Sequence, residues 1–208
     1  LVLPIIGTDD EGCVESVFTS KTIRLKDEHM AVVPKHCLVF TGLARDYLKK
    51  LCQRYEIKLY ELMERDDVAI YNSIPTVEGA LMMAIQNTDI TIHGSNCVVL
   101  GLGRVGTTLA RTLQAIGAKV KMGVNSSADM ARAFEMGLIP FSIHQLAEQV
   151  ADADLIFNTV PALVVTEQVL IHVRHDVVII DLASKPGGVD FAYAKKRGIK
   201  AILAPSLP

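Results

Sequence analysis

The sequence predicts an α/β protein in which a doubly wound parallel sheet follows a smaller α/β lobe. Two observations support this prediction. Along the second half, apolar runs of strand length, such as 97–100 and 177–180, alternate with segments of helix length. A glycine-rich turn joins the first of these strands to the helix after it. Parallel strands joined by single crossover helices show this pattern, because helices then cover both faces of the sheet.

The composition is that of a globular protein with a substantial core, since 50% of the 208 residues are hydrophobic and 21% are charged. With 21 Lys and Arg against 23 Asp and Glu, the net charge is −2. No broad basic field exists, so we expect neither a nucleic acid nor an anionic membrane as partner. Mean hydropathy is +0.32. No apolar stretch approaches the roughly 18 residues that cross a bilayer.

The four cysteines are irregularly spaced, without a CxxC pair or a histidine at zinc-finger spacing. We therefore expect no metal site and reduced thiols in a cytoplasmic protein. The chain begins at Leu1 in a strand-like run and stops at Pro208 in a loop-like run, which indicates a piece of a longer protein. No secretory signal is visible at its start.

Residues 1–72 predict the smaller lobe, which we expect to be truncated. Strands are expected at Leu1–Ile6, Cys37–Thr41 and Ile57–Leu62, and a helix over Leu43–Tyr55. The apolar residues of that helix recur at spacings of three and four, so its stripe is most simply core.

Residues 73–96 predict a connector made of one helix and a polar turn. Ser73 can cap the helix, and Pro75 suits its first turn. If this helix runs between the two lobes, its first amides face the cleft and could hold a substrate carboxylate. The candidates for substrate binding are therefore Ser73, Ile74, Pro75 and Thr76, and an ordinary capped helix is the alternative.

Residues 97–208 predict the doubly wound sheet, with its final part missing. The expected strands are Cys97–Leu100, Lys119–Met122, Leu155–Asn158, Val177–Asp181 and Lys200–Leu203. The expected helices are Arg104–Ile116, Ala128–Met136, Thr166–Val173 and Asp190–Lys196. Gly117, Gly137 and Gly198 stand where helix C-caps belong.

The turn after the first of these strands matches the pattern G-x-G-x-x-G, as Gly101-Leu102-Gly103-Arg104-Val105-Gly106. It lies within a βαβ unit of about 30 residues, as the dinucleotide-binding fingerprint requires. Gly101 permits the tight turn, Gly103 admits a pyrophosphate, and Gly106 lets the helix pack closely. We therefore expect a Rossmann domain that binds a dinucleotide at these six residues, and a glycine turn that binds nothing is the alternative.

The residues after the second strand of this domain bear on the choice of nucleotide. An NAD site usually has an acid here, whereas this chain has Asn125, Ser126 and Ser127, with no acid before Asp129. These short donors could hold a 2′-phosphate, and Arg104 could add charge. NADP is thus favoured and NAD remains possible. Simple cap and turn residues are the alternative.

Ligands of doubly wound sheets gather at the carboxyl ends of the strands. Thr159, Val160 and Pro161 follow one strand and would line the path of the nucleotide. The next strand ends in Asp181-Leu182-Ala183-Ser184-Lys185-Pro186-Gly187-Gly188. We expect catalytic roles among Asp181, Ser184, Lys185 and the proton carrier His93, with a solvated loop lysine and a turn histidine as alternatives for the last two.

Four runs of the sequence together resemble the dipicolinate synthase A subunits of spore-forming bacteria. They are Glu-Arg-Asp-Asp-Val-Ala-Ile-Tyr-Asn-Ser-Ile-Pro-Thr at 64–76, the glycine pattern at 101–106, Asn-Thr-Val-Pro-Ala-Leu-Val-Val at 158–165 and Asp-Leu-Ala-Ser-Lys-Pro-Gly-Gly at 181–188. The first and the last are more specific than the glycine pattern. Where this family can have an arginine, the chain has Asn125.

The resemblance covers essentially the whole chain and implies two domains arranged as in D-2-hydroxyacid dehydrogenases. It implies an NAD(P)-dependent oxidoreductase that converts a dihydropyridine-type intermediate of the lysine pathway, a dihydrodipicolinate, to pyridine-2,6-dicarboxylate (dipicolinate). It also implies the flavoprotein-like dipicolinate synthase B subunit as partner, a homo- or hetero-oligomer, and the cytoplasm of the sporulating mother cell. The two substrate carboxylates need donors, for which Lys185, Ser184 and the helix start at 73–76 are the candidates.

Two other functions are consistent with the sequence. One is a shikimate-type or 2-hydroxyacid dehydrogenase on the same scaffold, although Ser184-Lys185-Pro186 stands where a 2-hydroxyacid dehydrogenase would have Arg-Gly. The other is a nucleotide-binding regulatory or assembly protein whose partner carries the chemistry, because no acid–base pair is evident.

Overall fold

The computed structural model describes residues 1–204 and 207. The chain divides into two compact units, Leu1–Tyr71 and Asn72–Pro208. Each unit has its own hydrophobic core.

The first unit is built on two small sheets and two helices. Its strands are β1 (Cys13–Val14), β2 (Ile23–Arg24), β3 (Leu38–Thr41) and β4 (Lys58–Glu61), and its helices are α1 (Asp27–Ala31) and α2 (Asp46–Arg54). β1 and β2 pair antiparallel, and β3 and β4 pair parallel. The core consists of Met30, Val39, Leu48, Leu51, Cys52 and Ile57. The predicted apolar stripe on α2 therefore faces this core.

The first residues of the chain differ from the strand predicted at Leu1–Ile6. Only Val2 forms a bridge, parallel to Phe40 of β3. The amide of Leu3 donates to the Phe40 carbonyl at 2.9 Å, and the chain then turns, with the Gly7 amide donating to the Pro4 carbonyl at 2.8 Å. The regular pairing with β3 stops where the chain makes this turn.

The connector helix, α3 (Asp66–Asn87), begins seven residues earlier than the start predicted at Ser73. Its first turn contains Asp66 and Asp67, whose negative charges interact favourably with the positive end of the helix dipole. Pro75 lies in the interior of the helix, not in its first turn. Since proline has no N–H, the carbonyl of Tyr71 has no partner at the usual i+4 position. Tyr71 is also the last residue of the first unit.

α3 is a long, apolar helix of 22 residues. By length and hydropathy alone it could cross a membrane, the one helix in residues 1–204 that meets these criteria. Core helices of globular proteins meet the same criteria. Val77, Ala80 and Ala84 of α3 are buried in the core of the second unit, whereas Ile74, Met82 and Ile85 are exposed, so only one face of the helix packs there.

The second unit alternates strands and helices throughout. Its strands are β5 (Asn96–Leu100), β6 (Lys119–Val124), β7 (Ile139–Ser142), β8 (Leu155–Asn158), β9 (Val178–Asp181) and β10 (Lys200–Leu203). Its helices are α4 (Arg104–Ala115), α5 (Ser127–Glu135), α6 (Leu146–Gln149), α7 (Glu167–Leu170) and α8 (Phe191–Lys196).

The six strands form one parallel sheet in the order β10-β9-β8-β5-β6-β7. Successive residues of β5 face opposite sides: Cys97 and Val99 enter one core, whereas Val98 and Leu100 enter the other. Both faces of the sheet are therefore covered, which confirms the predicted doubly wound Rossmann architecture. The chain reverses its winding between β5 and β8, and this is the topological switch point.

One strand and one helix of the second unit were not predicted from the sequence. β7 pairs with β6 at the edge of the sheet and contains Pro140, which lies opposite Met122. An edge strand tolerates proline because one side of its backbone needs no partner strand. α6 has only four residues, too few for a helical period to show in the sequence.

Candidate functional site

The carboxyl ends of β5, β6 and β8 meet around one glycine turn. The amide of Gly101 donates to the Gly123 carbonyl of β6 at 2.9 Å. The carbonyl of Leu100 accepts from the amide of Thr159 at 3.1 Å and from its hydroxyl at 2.8 Å. Hydrogen bonds from both neighbouring strands thus hold the turn at the switch point of the sheet, where doubly wound proteins bind ligands.

Gly101 and Gly106 are required by the fold of this turn. Gly101 has a φ of +92°, and a Cβ there would lie 2.8 Å from the Thr159 hydroxyl. A Cβ on Gly106 would lie only 1.9 Å from the Gly101 carbonyl oxygen. These two glycines let strand, turn and helix pack closely, as the sequence pattern predicts.

Gly103 differs from both, because the fold does not require a glycine at this position. It caps α4 with φ −81° and ψ −168°, angles that any L-residue can adopt. A Cβ here would meet no atom within 4 Å. The missing side chain therefore leaves open space beside the exposed backbone, which a ligand could occupy.

The first turn of α4 faces this space with amides that the helix does not use. The first bond of the helix runs from the Thr107 amide to the Gly103 carbonyl at 2.9 Å. Gly103 is the N-cap residue, and no side-chain hydrogen bond caps the helix there. The amides of Val105 and Gly106 precede that bond and are among the groups that helix N-termini offer to anions. The residues present thus fit the pyrophosphate of a dinucleotide.

The end of β6 contains the residues predicted to select the nucleotide. Asn125, Ser126 and Ser127 are exposed there. Ser126 caps α5, accepting from the amide of Asp129 at 3.0 Å. Its hydroxyl also lies 2.7 Å from the Asp129 carboxylate. The structure therefore brings Asp129, to which the sequence assigned no role, back to the strand end.

A buried polar pair joins the ends of β8 and β9. The side chain of Asn158 accepts from the amide of Val160 at 3.1 Å and donates to its carbonyl at 3.0 Å. It also donates to the Asp181 carboxylate at 2.8 Å. Asn158 and Asp181 are both fully buried. Asn158 was not assigned a role from the sequence, and its position as the last residue of a buried strand was the available signal.

Asp181 was predicted as a catalytic residue, and the structure places its carboxylate within the protein. Besides Asn158, it accepts from the amide of Ala183 at 3.1 Å and from that of Gly188 at 2.6 Å. These bonds hold the two ends of the turn that carries Ser184 and Lys185, which are exposed. The geometry favours a positioning role for Asp181.

Thr159, Val160 and Pro161 lie where the sequence predicted, at the carboxyl end of β8. Thr159 and Val160 also contact the glycine turn, since both would meet a Cβ on Gly101. The carboxyl edge thus brings together the glycine turn, the 125–127 segment, the 159–161 segment and the turn with Ser184 and Lys185.

The segment 73–76 does not provide the free amides expected of a helix start. It lies inside α3, and the first four N–H groups of that helix belong to earlier residues. Ser73 is buried, and its hydroxyl shares a hydrogen bond of 2.7 Å with Thr108 of α4. The Thr76 hydroxyl lies 2.8 Å from the carbonyl oxygens of both Asn72 and Leu207, so its one proton is shared between them. The predicted helix start at Ser73 is therefore wrong, and substrate binding by the segment 73–76 stays a prediction without free amides to support it.

His93 is also far from the other candidates. It precedes β5, at the amino edge of the sheet, where its ring would meet a Cβ on Gly117 at 2.4 Å. The five residues of β5, roughly 16 Å of strand, separate that edge from the glycine turn. The structure thus does not bring His93 into the carboxyl-edge site. Within residues 1–204 and 207, no three His, Cys, Asp or Glu residues form a potential metal site.

Two family models match the chain. Residues 1–63 match the N-terminal domain of the dipicolinate synthase A subunit. Residues 74–204 match the NAD binding domain of S-adenosyl-L-homocysteine hydrolase. The second match coincides with the unit that contains the glycine turn.

The chain is similar to proteins of known identity over its whole length. It is 51% identical over 208 residues to the dipicolinate synthase A subunit of Bacillus subtilis (strain 168), covering 100% of this chain and 70% of that protein. Crystal structures of the A subunits from Bacillus halodurans and Bacillus subtilis superpose with TM-scores of 0.94 and 0.93, at 53% and 52% identity. These matches cover 100% of this chain and 71% and 70% of the others.

A more distant structure shares the fold. A transhydrogenase from Sinorhizobium meliloti superposes with a TM-score of 0.65 at 16% identity, over 86% of this chain and 64% of that one. At this identity the likeness concerns architecture alone.

Proposed function

Because the chain belongs to the family of dipicolinate synthase A subunits, we propose that it oxidises a dihydrodipicolinate-type intermediate of the lysine pathway to dipicolinate, with NAD(P) as acceptor. The family resemblance predicted from the four sequence runs is confirmed, and the second unit is an NAD-binding domain. The reaction, the substrate and the catalytic residues are the proposed part.

The observation that carries this proposal is the open space at Gly103. Its backbone angles suit any residue, and no protein atom lies within 4 Å of a Cβ there. The amides at the start of α4 can therefore approach a pyrophosphate directly, and the positive end of the helix dipole favours its charge. These six residues, 101–106, would hold the nucleotide, with Thr159, Val160 and Pro161 lining its path.

When bound, NAD(P)⁺ supplies a hydride acceptor, while the substrate ring loses a hydride and a proton and becomes aromatic. The chain's own residues bind and orient the substrate. The turn held by Asp181 presents Ser184 and Lys185 at the carboxyl edge. We propose that the Lys185 ammonium and the Ser184 hydroxyl bind the two substrate carboxylates.

The nucleotide choice depends on the end of β6. Asn125, Ser126 and Ser127, together with Arg104, favour NADP from the sequence, because they supply donors and no acid stands at the strand end. The carboxylate of Asp129 beside Ser126 is a feature that opposes a 2′-phosphate. The proposed function itself requires only that a nicotinamide dinucleotide binds.

Replacing Gly103 tests the proposal. Gly103→Val should fold, because the site has room and suitable angles, yet it should lose dinucleotide binding and product formation at least about 100-fold, since the side chain fills the ligand space. The measurement pairs NAD(P)H formation with dipicolinate formation by the purified protein, with and without the B subunit, and circular dichroism monitors folding. Full activity in a folded Gly103→Val protein would contradict the proposal.

Lys185 is tested in the same assay. Lys185→Met should raise the KM for the dicarboxylate substrate with little change in the affinity for NADH, because it removes a charge from the substrate and not from the nucleotide. Lys185→Arg is the matched control and should recover most of the activity, since it keeps the charge. An unchanged KM in Lys185→Met would remove this residue from the proposal.

We also propose that the protein works with the dipicolinate synthase B subunit, as part of a homo- or hetero-oligomer in the cytoplasm of the sporulating mother cell. The relatives are named as the A subunit of a synthase, which supports the existence of a second kind of subunit. The predicted lobe (1–72), connector (73–96) and nucleotide-binding domain (97–208) stay proposals, except that the helix of the connector begins earlier, at Asp66.

A second candidate function is a nucleotide-binding protein whose partner carries the chemistry. The observation that favours it is the burial of Asp181, whose carboxylate is bonded to Asn158, Ala183 and Gly188. If the chain alone binds NAD(P)H but turns over only when the B subunit is added, this function gains support. Turnover by the chain alone would exclude it.

A further inference from the structure

The last residue of β8 is polar, although all four residues of this strand are buried. The Asn158 side chain has no exposed surface, and it uses both ends of its carboxamide. Its oxygen accepts from the Val160 amide at 3.1 Å, and its nitrogen donates to the Val160 carbonyl at 3.0 Å and to the Asp181 carboxylate at 2.8 Å. A carboxamide has two N–H protons, so both are used. Asn158 therefore connects the loop that follows it to the end of the neighbouring strand.

The Asp181 carboxylate continues this connection into the β9 turn, residues 182–188, which contains the proposed substrate-binding residues. One oxygen accepts from Asn158 and from the Ala183 amide, the latter at 3.1 Å. The other oxygen accepts from the Gly188 amide at 2.6 Å. The carboxylate thus holds the beginning and the end of the β9 turn.

Close packing and backbone bonds join the β9 turn to the β8 loop, residues 159–165. A Cβ on Gly188 would lie 2.4 Å from the side-chain nitrogen of Asn158, so the approach requires glycine. The Gly188 carbonyl accepts from the amides of Val164 and Val165 at 3.0 and 2.9 Å. A shift of either segment must therefore be accommodated by the other.

The β8 loop also borders the glycine turn on its other side. A Cβ on Gly101 would lie 2.8 Å from the Thr159 hydroxyl and 3.0 Å from the Val160 side chain. Val160 is the residue whose backbone Asn158 bonds at both polar groups. Contacts thus run without a gap from the proposed nucleotide site, through the β8 loop and Asn158, to the β9 turn.

The chemistry of the pair indicates that it fixes a geometry. Buried polar groups are costly unless they are hydrogen-bonded, and apolar residues often fill such positions without loss of stability. Hydrogen bonds are directional, whereas apolar contacts are not. The bonds between Asn158 and Asp181 therefore set the position of the β9 turn relative to the β8 loop more narrowly than apolar packing would.

We infer that Asn158 is a positioning residue that couples the two halves of the proposed site. Through Asp181 it sets the β9 turn against the β8 loop, so a bound nucleotide and a bound dicarboxylate each favour the arrangement that the other needs. The two ligands therefore bind cooperatively, and by linkage each raises the affinity for the other by the same factor. The inference rests on the proposed function, because it requires both ligand sites.

Calorimetry on the purified protein, alone and with the B subunit, measures this coupling factor. Pyridine-2,6-dicarboxylate should bind the wild type at least about 10-fold more tightly with saturating NADH or NADPH than without nucleotide. Asn158→Ser should reduce the factor to about 2-fold or less. A serine hydroxyl can still bond to the amide two residues on, at Val160, but it is too short to reach Asp181. The variant therefore removes the link and keeps the local turn.

Asn96→Ser is the matched control. Asn96 is the first residue of β5, at the opposite edge of the same sheet, and its side chain donates to the Asp152 carbonyl at 3.1 Å. The same substitution there should leave the coupling factor unchanged. Circular dichroism monitors the folding of each variant.

A second variant breaks the link from its other end. Asp181→Asn replaces one acceptor oxygen by a nitrogen that cannot accept from the Gly188 amide, and it should reduce the coupling factor to a similar value. Asn158→Ser and Asp181→Asn together should reduce the factor no further than either change alone, because residues of one hydrogen-bond network are not additive.

The coupling factor distinguishes positioning from a merely structural role. A structural role would lower the stability of Asn158→Ser and weaken the two ligands independently, which leaves the factor unchanged. Cooperativity from direct contact between the ligands would also persist in this variant. An unchanged factor in folded Asn158→Ser or folded Asp181→Asn therefore overturns the inference.

The wild type separates this inference from the proposed function. If both ligands bind without cooperativity, the role of Asn158 is wrong and the proposed function stands. If the nucleotide or the dicarboxylate does not bind even with the B subunit present, the proposed function fails and this inference fails with it.

Discussion

At the scale of single residues, burial decides what polar side chains can do. Asp181 and Asn158 are fully buried, and the bonds between them tie the loop after β8 to the turn after β9. A buried carboxylate is tolerated only when it is hydrogen-bonded, and Asp181 meets this condition with two backbone amides besides Asn158. These bonds of Asp181 hold the turn in place, whereas Ser184 and Lys185 on the same turn are exposed.

Burial also changes the acidity of a cysteine. Cys97 lies in β5 with no exposed surface, and burial raises the pKa of its thiol from 9.0 to about 11, while the hydrogen bond with the Ser95 hydroxyl acts in the opposite direction. The folded thiol therefore stays protonated at neutral pH and remains a poor nucleophile. This agrees with a structural role for a cysteine that the sequence predicted to be reduced.

We predict a pH-dependent loss of stability through Cys97. Because the folded pKa is raised, the contribution of the thiol is fully present below pH 9 and is lost as the pH rises to about 11. The loss should be on the order of 2–3 kcal/mol. Urea unfolding at pH 8 to 11 should show this decline in the wild type and not in Cys97→Ala. Cys37→Ala, at a half-buried cysteine of the first unit, should decline like the wild type.

At the scale of secondary-structure elements, α3 shows how a helix can continue past a proline. Acidic residues support its first turn, and Val77, Ala80 and Ala84 anchor its second half in the core of the nucleotide-binding unit. Most helical stability in proteins comes from such packing rather than from propensity. The cost of Pro75 is the missing bond to the Tyr71 carbonyl, next to the boundary between the two units.

We predict that Pro75→Ala stabilises the protein. Alanine restores the N–H that can bond to the Tyr71 carbonyl and relieves the steric conflict of proline in a helix interior. The free energy of unfolding should rise by about 1–3 kcal/mol, as measured by urea titration. Pro34→Ala is the control, because Pro34 lies in the loop between α1 and β3 and interrupts no helix. No gain in Pro75→Ala would show that the packing around residue 75 already offsets the lost bond.

At the scale of the whole molecule, the two units have separate cores. The first is centred on Met30, Leu48 and Leu51, whereas the second surrounds both faces of the six-stranded sheet. All residues of the glycine turn, and the strand ends around it, belong to the second unit. A nucleotide bound at this turn is therefore expected to stabilise the second unit more than the first.

We predict that NADH protects the two units unequally against hydrogen exchange. Ligand at 100 times its Kd should stabilise the bound unit by about 2.7 kcal/mol, which slows exchange of its most protected amides about 100-fold. These amides are in β5, β6, β8 and β9, whereas those of β3 and α2 should slow much less. Mass spectrometry with and without NADH measures both sets. Equal slowing in the two units would show that they open together, contrary to the prediction.

The sequence by itself determined the fold class, the second unit and the family. Alternating strands and helices, with glycines at the helix ends, predicted nearly every strand of the large sheet, because buried parallel strands are marked by their apolar composition. The glycine turn was also predicted from the sequence. Local backbone geometry requires Gly101 and Gly106, so the turn is visible as a short sequence pattern. β7 and the short pairing strands of the first unit were missed, since their signal is weak and depends on their neighbours.

Only the tertiary structure decided which polar residues act together. The start of α3 was misplaced because Ser73 and Pro75 have the local signature of a helix start, while the preceding acids and the packing of Val77 and Ala80 extend the helix on both sides. His93 lies at the opposite edge of the sheet from the site, and Asp129 returns to the end of β6 through one helical turn. The direction of the strands and the turn of a helix decide which side chains come into contact. Proximity along the sequence therefore does not determine these contacts.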